Sequence, residues 1–188
     1  MVNVLLTILT VLSSFLANLE TKTLQSDFTV TVAEEVNAPM NYPGTITMCG
    51  NRFRLTMFGI EAAYDGKTMY MYSADTDELT LTNPTEQELL ETNPFLYAKA
   101  LVNVCNIVER ATSDGKQTII TLTPKDQSIG INRFVLRVRT ADLIPLQVEI
   151  KEGKKTSTLK MKEPKFVSGK QEYVLKAEKG TYVNDMRL

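Results

Sequence analysis

Side chains that could support chemistry are scarce in this sequence of 188 residues. It has no histidine, so the most common general base and a frequent zinc ligand are both missing. The densest group of carboxylates is Asp75, Asp77 and Glu78. A calcium loop would need more oxygen ligands and a glycine at a fixed offset, and these acids have neither. We therefore predict that they lie in a solvated turn.

A second candidate is Gly66-Lys67-Thr68, which matches the end of a phosphate-binding loop. That loop requires another glycine five positions before Gly66 and a helix after the motif. Glu61 stands at the first of these places, and the flanking runs alternate like strands, so the motif does not predict phosphate binding. No G-x-S-x-G nucleophile motif occurs either. We expect no enzymatic activity, no catalytic residue and no cofactor.

The chain has only two cysteines, Cys49 and Cys105. Without a C-x-x-C pair or a histidine, they do not form a common zinc site, and we expect no metal site. One disulfide between them is possible in an exported protein. Two buried free thiols are the interpretation that we favour.

Charge argues against a nucleic-acid partner. The formal net charge is −1, and the 21 lysines and arginines alternate along the sequence with 22 acids rather than forming a basic stripe. Hydrophobic residues make up 43% of the chain, enough for a substantial core. No linker or low-complexity segment divides the sequence, so we predict one domain over residues 1–188.

An apolar hairpin poses the main question about function. Phe53, Leu55 and Met57 alternate with polar residues, as do Met69 and Met71 after an Asp-Gly turn. Five of the eight methionines lie between Met40 and Met71. Methionine adapts to irregular shapes, so these side chains could line a site for an apolar ligand. Ordinary core filling is the alternative.

Most of the remaining chain also has the pattern of antiparallel strands. Runs such as "SDFTVTVAEE", "RFVLRVRT" and "EYVLKAE" are rich in residues that favour a pleated, half-buried surface. Four turns between such runs carry Gly-Lys, at Gly66, Gly115, Gly153 and Gly169. The pattern predicts an antiparallel meander of about ten strands.

Residues 82–106 interrupt the strands with a helical pattern. Asn83 followed by Pro84 predicts a helix start, with Glu86 three residues after the cap. Asn93-Pro94 repeats the start signal. We therefore predict two short helices in tandem between two halves of a sheet.

Residues 2–19 carry no charge, and their apolar residues recur with helical spacing, for example at Leu12, Phe15 and Leu19. A secretory signal would need a basic start and a small-residue cleavage site, and neither is present. We predict a mature amphipathic helix here. An uncleaved signal or a membrane anchor is the alternative.

The order of these segments resembles the LolA family, the periplasmic carriers of outer-membrane lipoproteins in bacteria with two membranes. The resemblance runs through nearly the whole chain. It rests on the succession of "LQSDFTVTV", "GTITM", "RFRL", "AYDGKTMYMYSADTDELT", "NPFLYAKAL", "IITLTPKDQSIGINRFVLRV" and "EYVLKAEKGTYVNDMR". The Asp-Gly-Lys hairpin followed by aromatic residues and the Pro-Phe helix are the most characteristic of these.

The resemblance implies an α+β fold, an incomplete antiparallel β-barrel of about ten to eleven strands. The N-terminal helix and two short helices would form a lid over its concave face. The cavity would hold the acyl chains of a lipoprotein, received from an inner-membrane ABC transporter and passed to an outer-membrane acceptor. The chain would then be a monomeric periplasmic carrier. The alternative is a lipid- or lipoprotein-sensing binding module of the same fold.

One departure from the family concerns how the lid is held. The family often has Arg-Pro after the glycine-initiated strand, and the arginine bonds to lid residues. Cys49-Gly50 stands at that place here, and Arg52 and Arg54 are the nearby candidates to replace the arginine.

Alternation along the strands then predicts which side chains line the concave face, and the second short helix, taken as Pro94 to Cys105, adds its apolar residues. The expected lipid-binding residues are Phe28, Val30, Val32, Ile46, Met48, Phe53, Leu55, Met57, Met69, Met71, Phe95, Leu96, Leu101, Phe134, Leu136, Leu146 and Val148.

Overall fold

The chain forms one long antiparallel sheet with three α-helices in a computed structural model, which describes residues 10–34 and 37–187. The helices are α1 (Val11–Thr21), α2 (Glu86–Thr92) and α3 (Pro94–Leu101), and a 3-10 turn covers Gln127–Ile129. The strands are β1 (Thr23–Ala33), β2 (Met40–Cys49), β3 (Arg52–Met57), β4 (Ile60–Tyr64), β5 (Met69–Ser73), β6 (Glu78–Thr82), β7 (Cys105–Ala111), β8 (Gln117–Pro124), β9 (Arg133–Arg139), β10 (Pro145–Glu152), β11 (Lys155–Val167) and β12 (Tyr182–Asp185).

The strand order is β12-β6-β5-β4-β3-β2-β1-β11-β10-β9-β8-β7. Every neighbouring pair is antiparallel except β12 and β6, which run parallel. The two edge strands, β7 and β12, do not pair with each other among the described residues, so the sheet stays open. The predicted incomplete α+β barrel is therefore confirmed, with twelve strands instead of ten to eleven.

Helix α1 packs on the face of the sheet that we call the inner face, and the opposite face is the outer face. Leu12, Phe15 and Leu19 are buried, as the helical spacing predicted. Strand β7 supplies a cap for this helix: the Glu109 carboxylate accepts hydrogen bonds from the Val11 and Leu12 amides at 3.0 and 2.8 Å. A carboxylate here satisfies free amides and complements the helix dipole. The predicted helix also includes residues before Thr10, and these lie outside the described part of the chain.

Helices α2 and α3, here called the lid, have boundaries that differ in part from the prediction, which also counted the N-terminal helix in the lid. Helix α2 is capped by Thr85, not Asn83, in a reciprocal capping box with Glu88. Asn93 caps α3 as predicted, and its side chain accepts a hydrogen bond from the Phe95 amide at 3.0 Å. The predicted extension of α3 to Cys105 is wrong, because the helix ends at Leu101 and Cys105 begins β7.

The run "EYVLKAE" is not a strand of the sheet. It belongs to residues 168–181, here called the strap, which cross the outer face of the sheet before β12. Leu175 packs there in a second, smaller core with Ala63, Tyr70, Leu79 and Leu81. The alternation in the strap therefore arises from packing on a sheet face, not from pairing with a neighbouring strand.

Gly44 is needed where the Phe28 ring crosses β2 on the inner face. A Cβ at Gly44 would lie 2.4 Å from Phe28 Cζ and 2.5 Å from the Thr56 carbonyl oxygen. We expect Gly44→Ala to lower the free energy of unfolding by about 1–3 kcal/mol, because the ring and the backbone must both shift. Urea denaturation measures this, with Thr45→Ala as the control at the neighbouring exposed position of β2. A Gly44→Ala variant as stable as the wild type would contradict this packing.

Asp65 organises the β4–β5 hairpin. Its carboxylate accepts hydrogen bonds from the amides of Lys67 and Thr68, both at 2.8 Å, and from the Tyr70 hydroxyl at 3.1 Å. Partial burial raises the pKa of this carboxyl, but the hydrogen bonds outweigh burial and the net pKa is lowered. The charged form is thus favoured by folding.

The expected consequence is a pH-dependent loss of stability. A lowered folded pKa stabilises the protein above the ordinary aspartate pKa of about 4, and this contribution disappears as the pH falls through the folded value. Asp65→Asn should therefore lower the free energy of unfolding by about 1–2 kcal/mol at neutral pH. The difference from wild type should shrink in acid. Denaturation at several pH values tests this, with Asp75→Asn in the exposed turn as control; a difference independent of pH would contradict it.

Candidate functional site

The register of the sheet assembles a continuous apolar inner face. Met48, Phe53, Tyr64 and Met69 lie side by side across β2–β5. The next row is formed by Ile46, Leu55, Ala62 and Met71. The hairpin that the sequence singled out is thus one part of a wall shared by neighbouring strands.

Fourteen of the seventeen predicted lining residues belong to the main core on this face or pack against it. Ten are buried: Phe28, Ile46, Met48, Phe53, Met69, Phe95, Leu101, Phe134, Leu136 and Val148. Four are partly buried against the same core: Val30, Leu55, Met57 and Leu96. These fourteen side chains thus lie in the core or pack against it, and their role as a lipid-binding lining stays a prediction.

The alternation wrongly predicts Leu146 as a lining residue of the inner face. A β-bulge between Pro145 and Gln147 shifts the register of β10 against β9. Pro145 therefore pairs with Val138, Gln147 with Arg137, and Val148 with Leu136. An extra residue in a strand breaks the period of two, so Leu146 does not pack against the main core.

Met71 and Val32 lie at the margin of the inner face. Met71 pairs with Ala62, but 44% of its surface is exposed. It lines a cavity of about 190 Å³ with Ile60, Ser73 and Thr80 near the β5–β6 end of the sheet. Val32 is partly exposed where β1 ends, next to Met40. The helices leave this margin uncovered.

The centre of the inner face is filled by helix side chains. Phe15 of α1 and Phe95 of α3 are fully buried, with ring centroids 6.0 Å apart. The ring of Tyr97 packs edge to face against the ring of Phe134 on β9, with centroids 6.3 Å apart. An apolar guest could reach this centre only if α3 moved, because protein interiors leave no space of that size.

A second cavity marks where the lid meets the sheet. It has a volume of about 320 Å³, within the range of ligand pockets, and its apolar lining includes Leu90, Tyr97, Ile131 and Ile150. Gln87, Glu91 and Glu152 supply polar groups. Sequence reasoning missed these residues, although Ile150 continues the alternation from Val148. Burial raises the pKa of Tyr97, as does the nearby Glu152 carboxylate.

The lid is held by few polar contacts. Lys99 of α3 pairs with Glu20 of α1 at 2.6 Å, and both side chains are about half exposed. Exposed ion pairs of this kind contribute about 1 kcal/mol at most. Helix α2 has no buried residue. At the place of the family's arginine, the Gly50 amide donates to the Leu19 carbonyl at 2.6 Å, which joins the β2–β3 turn to α1.

Within the described residues, the structure contains no cluster of acids and thiols that could hold a metal ion. Both cysteines are free, as predicted, but only Cys105 is buried; the prediction of a buried thiol is wrong for Cys49, which is partly exposed. Burial raises the pKa of the Cys105 thiol, so it is a poor nucleophile. None of the described helices has the length and apolar character needed to cross a bilayer.

No protein-family model and no curated protein matches the sequence. Solved structures do match the fold. An uncharacterized conserved protein from Thermus thermophilus is 14% identical over 93% of this chain and 96% of that chain, with a TM-score of 0.61. A chain of the Pseudomonas aeruginosa MucA/MucB complex is 15% identical over 86% of this chain and 58% of that chain, with a TM-score of 0.51.

A LolA superfamily protein from Nitrosomonas europaea is also among the matches, 12% identical over 84% of this chain and 94% of that chain, with a TM-score of 0.43. The fold likeness rests on the two structures with TM-scores above 0.5, and the resemblance of the sequence to the LolA family stays a prediction. At such identities the likeness concerns the fold alone.

Proposed function

We propose that this protein is a non-enzymatic periplasmic carrier that binds lipoprotein acyl chains between the inner face of its sheet and the helices. The observation that carries the proposal is the pairing of a large apolar wall with a lid that is held to it by apolar packing and few polar contacts. The wall extends over the sheet from Met69 to Val148, whereas α2 has no fully buried residue and α3 adds only one exposed ion pair with α1 to its apolar contacts.

The energetics suit reversible binding. Each methylene removed from water contributes about 0.8 kcal/mol, so an acyl chain of ordinary length can offset the cost of displacing α3. Phe95 and Phe15 fill the space in the absence of a guest and keep the apolar wall away from water. The cavity beside Tyr97 and Ile150 is where we expect a chain to enter.

In this proposal the cargo comes from an inner-membrane ABC transporter and goes to an outer-membrane acceptor, as in the family that the sequence resembles. The protein itself needs no cofactor, because binding and release depend on the lid.

A second candidate is a binding module of the same fold that senses lipid or lipoprotein. The fold match to a chain of the MucA/MucB complex favours it, since that structure is of a protein–protein complex. A carrier should release bound cargo to acceptor membranes, while a sensor should retain it and change its affinity for a protein partner.

Two linked measurements test acyl-chain binding. Mass spectrometry of an organic extract of the purified protein should detect acyl-bearing species. After delipidation, the protein should bind a fluorescent fatty-acyl probe and a purified triacylated lipoprotein in competition with each other. If the delipidated protein binds neither while it keeps its fold, the proposed function is wrong.

A further inference from the structure

The outer face of β7–β11 carries a row of cations that only the sheet register brings together. Arg110 on β7 pairs with Ile119, Ile119 with Arg137, Arg137 with Gln147, and Gln147 with Lys160 on β11. A cation therefore stands on every second strand. With strands about 4.8 Å apart, neighbouring cations are roughly 10 Å apart.

These three cations are available to an external partner. None of their side chains forms an ion pair or a hydrogen bond with a described residue. By contrast, the side chain of Arg133 pairs with Glu149 at 2.8 Å and that of Arg139 with Asp142 at 2.9 Å. Arg110 and Lys160 are exposed and Arg137 is partly exposed.

The charge of the chain is unevenly divided. Residues 105–167 contain 12 lysines and arginines against 7 acids, whereas the rest of the sequence contains 9 against 15. Although the sequence has no basic stripe, cations from separate strands meet on one face of the folded chain. Lys165 of β11 extends the positive region, whereas Lys162 lies opposite Asp27 of β1.

Apolar side chains accompany the cations. Val108 lies two residues before Arg110 on β7 and is 47% exposed. Val104, just before the same strand, is 41% exposed. Basic residues beside exposed apolar ones are typical of surfaces that rest on a bilayer interface. The cations also stand apart from one another and line no cavity described above, so they suit an array of headgroups better than a single small anion.

We propose that the outer face of β7–β11 docks this protein on an anionic lipid bilayer. The proposal rests on the proposed function, since cargo that is anchored in membranes must be collected and delivered at a membrane surface. Arg110, Arg137 and Lys160 contact the headgroups, and Val108 enters the interface. The inner face and the lid remain free to exchange an acyl chain.

Flotation with lipid vesicles tests the docking face. The wild type should bind vesicles of phosphatidylcholine with phosphatidylglycerol, bind less as salt rises, and ignore vesicles of phosphatidylcholine alone. One basic residue near an anionic surface changes partitioning about fivefold. The variant Arg110→Gln/Arg137→Gln/Lys160→Gln should therefore lose roughly a hundredfold in partitioning.

The matched control is Lys67→Gln/Lys170→Gln/Lys176→Gln, which removes the same charge from exposed positions outside these strands. It should partition like the wild type. The docking face would be overturned if both triple variants lost the same partitioning to anionic vesicles. It would also be overturned if the wild type bound neutral and anionic vesicles equally. Binding to duplex DNA without binding to anionic vesicles would overturn it too, because the partner would then be a nucleic acid.

Titration with the acyl probe separates this proposal from the function on which it rests. The basic-face variant should bind the probe as the wild type does. If the wild type binds the probe but does not bind anionic vesicles, only the docking face is refuted. Vesicle binding without any probe binding would refute only the carrier function.

Discussion

Replacing Leu55 by glutamate is expected to lower the affinity for an acyl probe at least about a hundredfold, because a carboxylate in the apolar wall must be desolvated whenever a chain covers it. Leu55 lies in the middle of an inner-face row between Ile46 and Ala62, partly buried against the main core. Titration of the delipidated protein measures the loss. Protonation should restore part of the affinity in acid, since burial raises the pKa of such a carboxyl.

Stability should respond differently at the two ends of this row. Met71→Glu places its carboxylate at a position that is 44% exposed, so we expect a change in the free energy of unfolding of less than about 1 kcal/mol. Leu55→Glu should cost about 1–3 kcal/mol. Both variants should stay folded and bind acyl chains poorly, with the smaller defect in Met71→Glu.

Thr56→Glu is the matched control, since Thr56 is the next residue on β3 and points to the outer face. It should bind the probe normally. If the Leu55 and Met71 variants both unfold, or bind the probe as tightly as the Thr56 variant, the inner face is an ordinary core and not a ligand site.

Phe95→Ala is expected to lower stability and raise affinity together. The side chain is 1% exposed and packs against Phe15, so its removal should cost about 3–5 kcal/mol of the free energy of unfolding. If acyl binding displaces α3, the same truncation weakens only the closed state. The opening cost falls by part of that amount, and the probe should bind up to roughly a hundredfold more tightly.

Phe53→Ala provides the comparison. Phe53 is equally buried but belongs to the β3 wall, where its ring lies beside Tyr64. Its truncation should cost similar stability without tightening binding, because the wall does not open. Equal effects of the two substitutions on affinity, in either direction, would show that α3 does not gate the site.

Much of the inner face follows from alternation because the pleat of a strand has a strict period of two. Phe28, Ile46, Met48 and Phe53 could be assigned in this way, since one long face of the sheet is apolar. Leu146 could not, because the bulge after Pro145 adds a residue that the alternation does not take into account.

Features that depend on long-range pairing were beyond sequence reasoning. The strap has the alternation of a strand but lies on the outer face, and local pattern does not distinguish these two kinds of packing. The row of Arg110, Arg137 and Lys160 exists only through the register of five strands. Tyr97 and Ile131 reach one cavity because α3 packs over the 3-10 turn, a contact between distant parts of the chain.

Hydrogen exchange of the α3 amides, with and without a bound acyl chain, tests the central claim most directly. The claim is that α3 moves to admit a chain between itself and the sheet. In the delipidated protein, amides from Tyr97 to Leu101 should exchange faster than those of the central strands β1 and β2, since α3 is a short helix that is joined to α1 by one exposed ion pair. A saturating acyl ligand should slow them. Protection that equals that of the sheet and does not change with ligand would contradict the account.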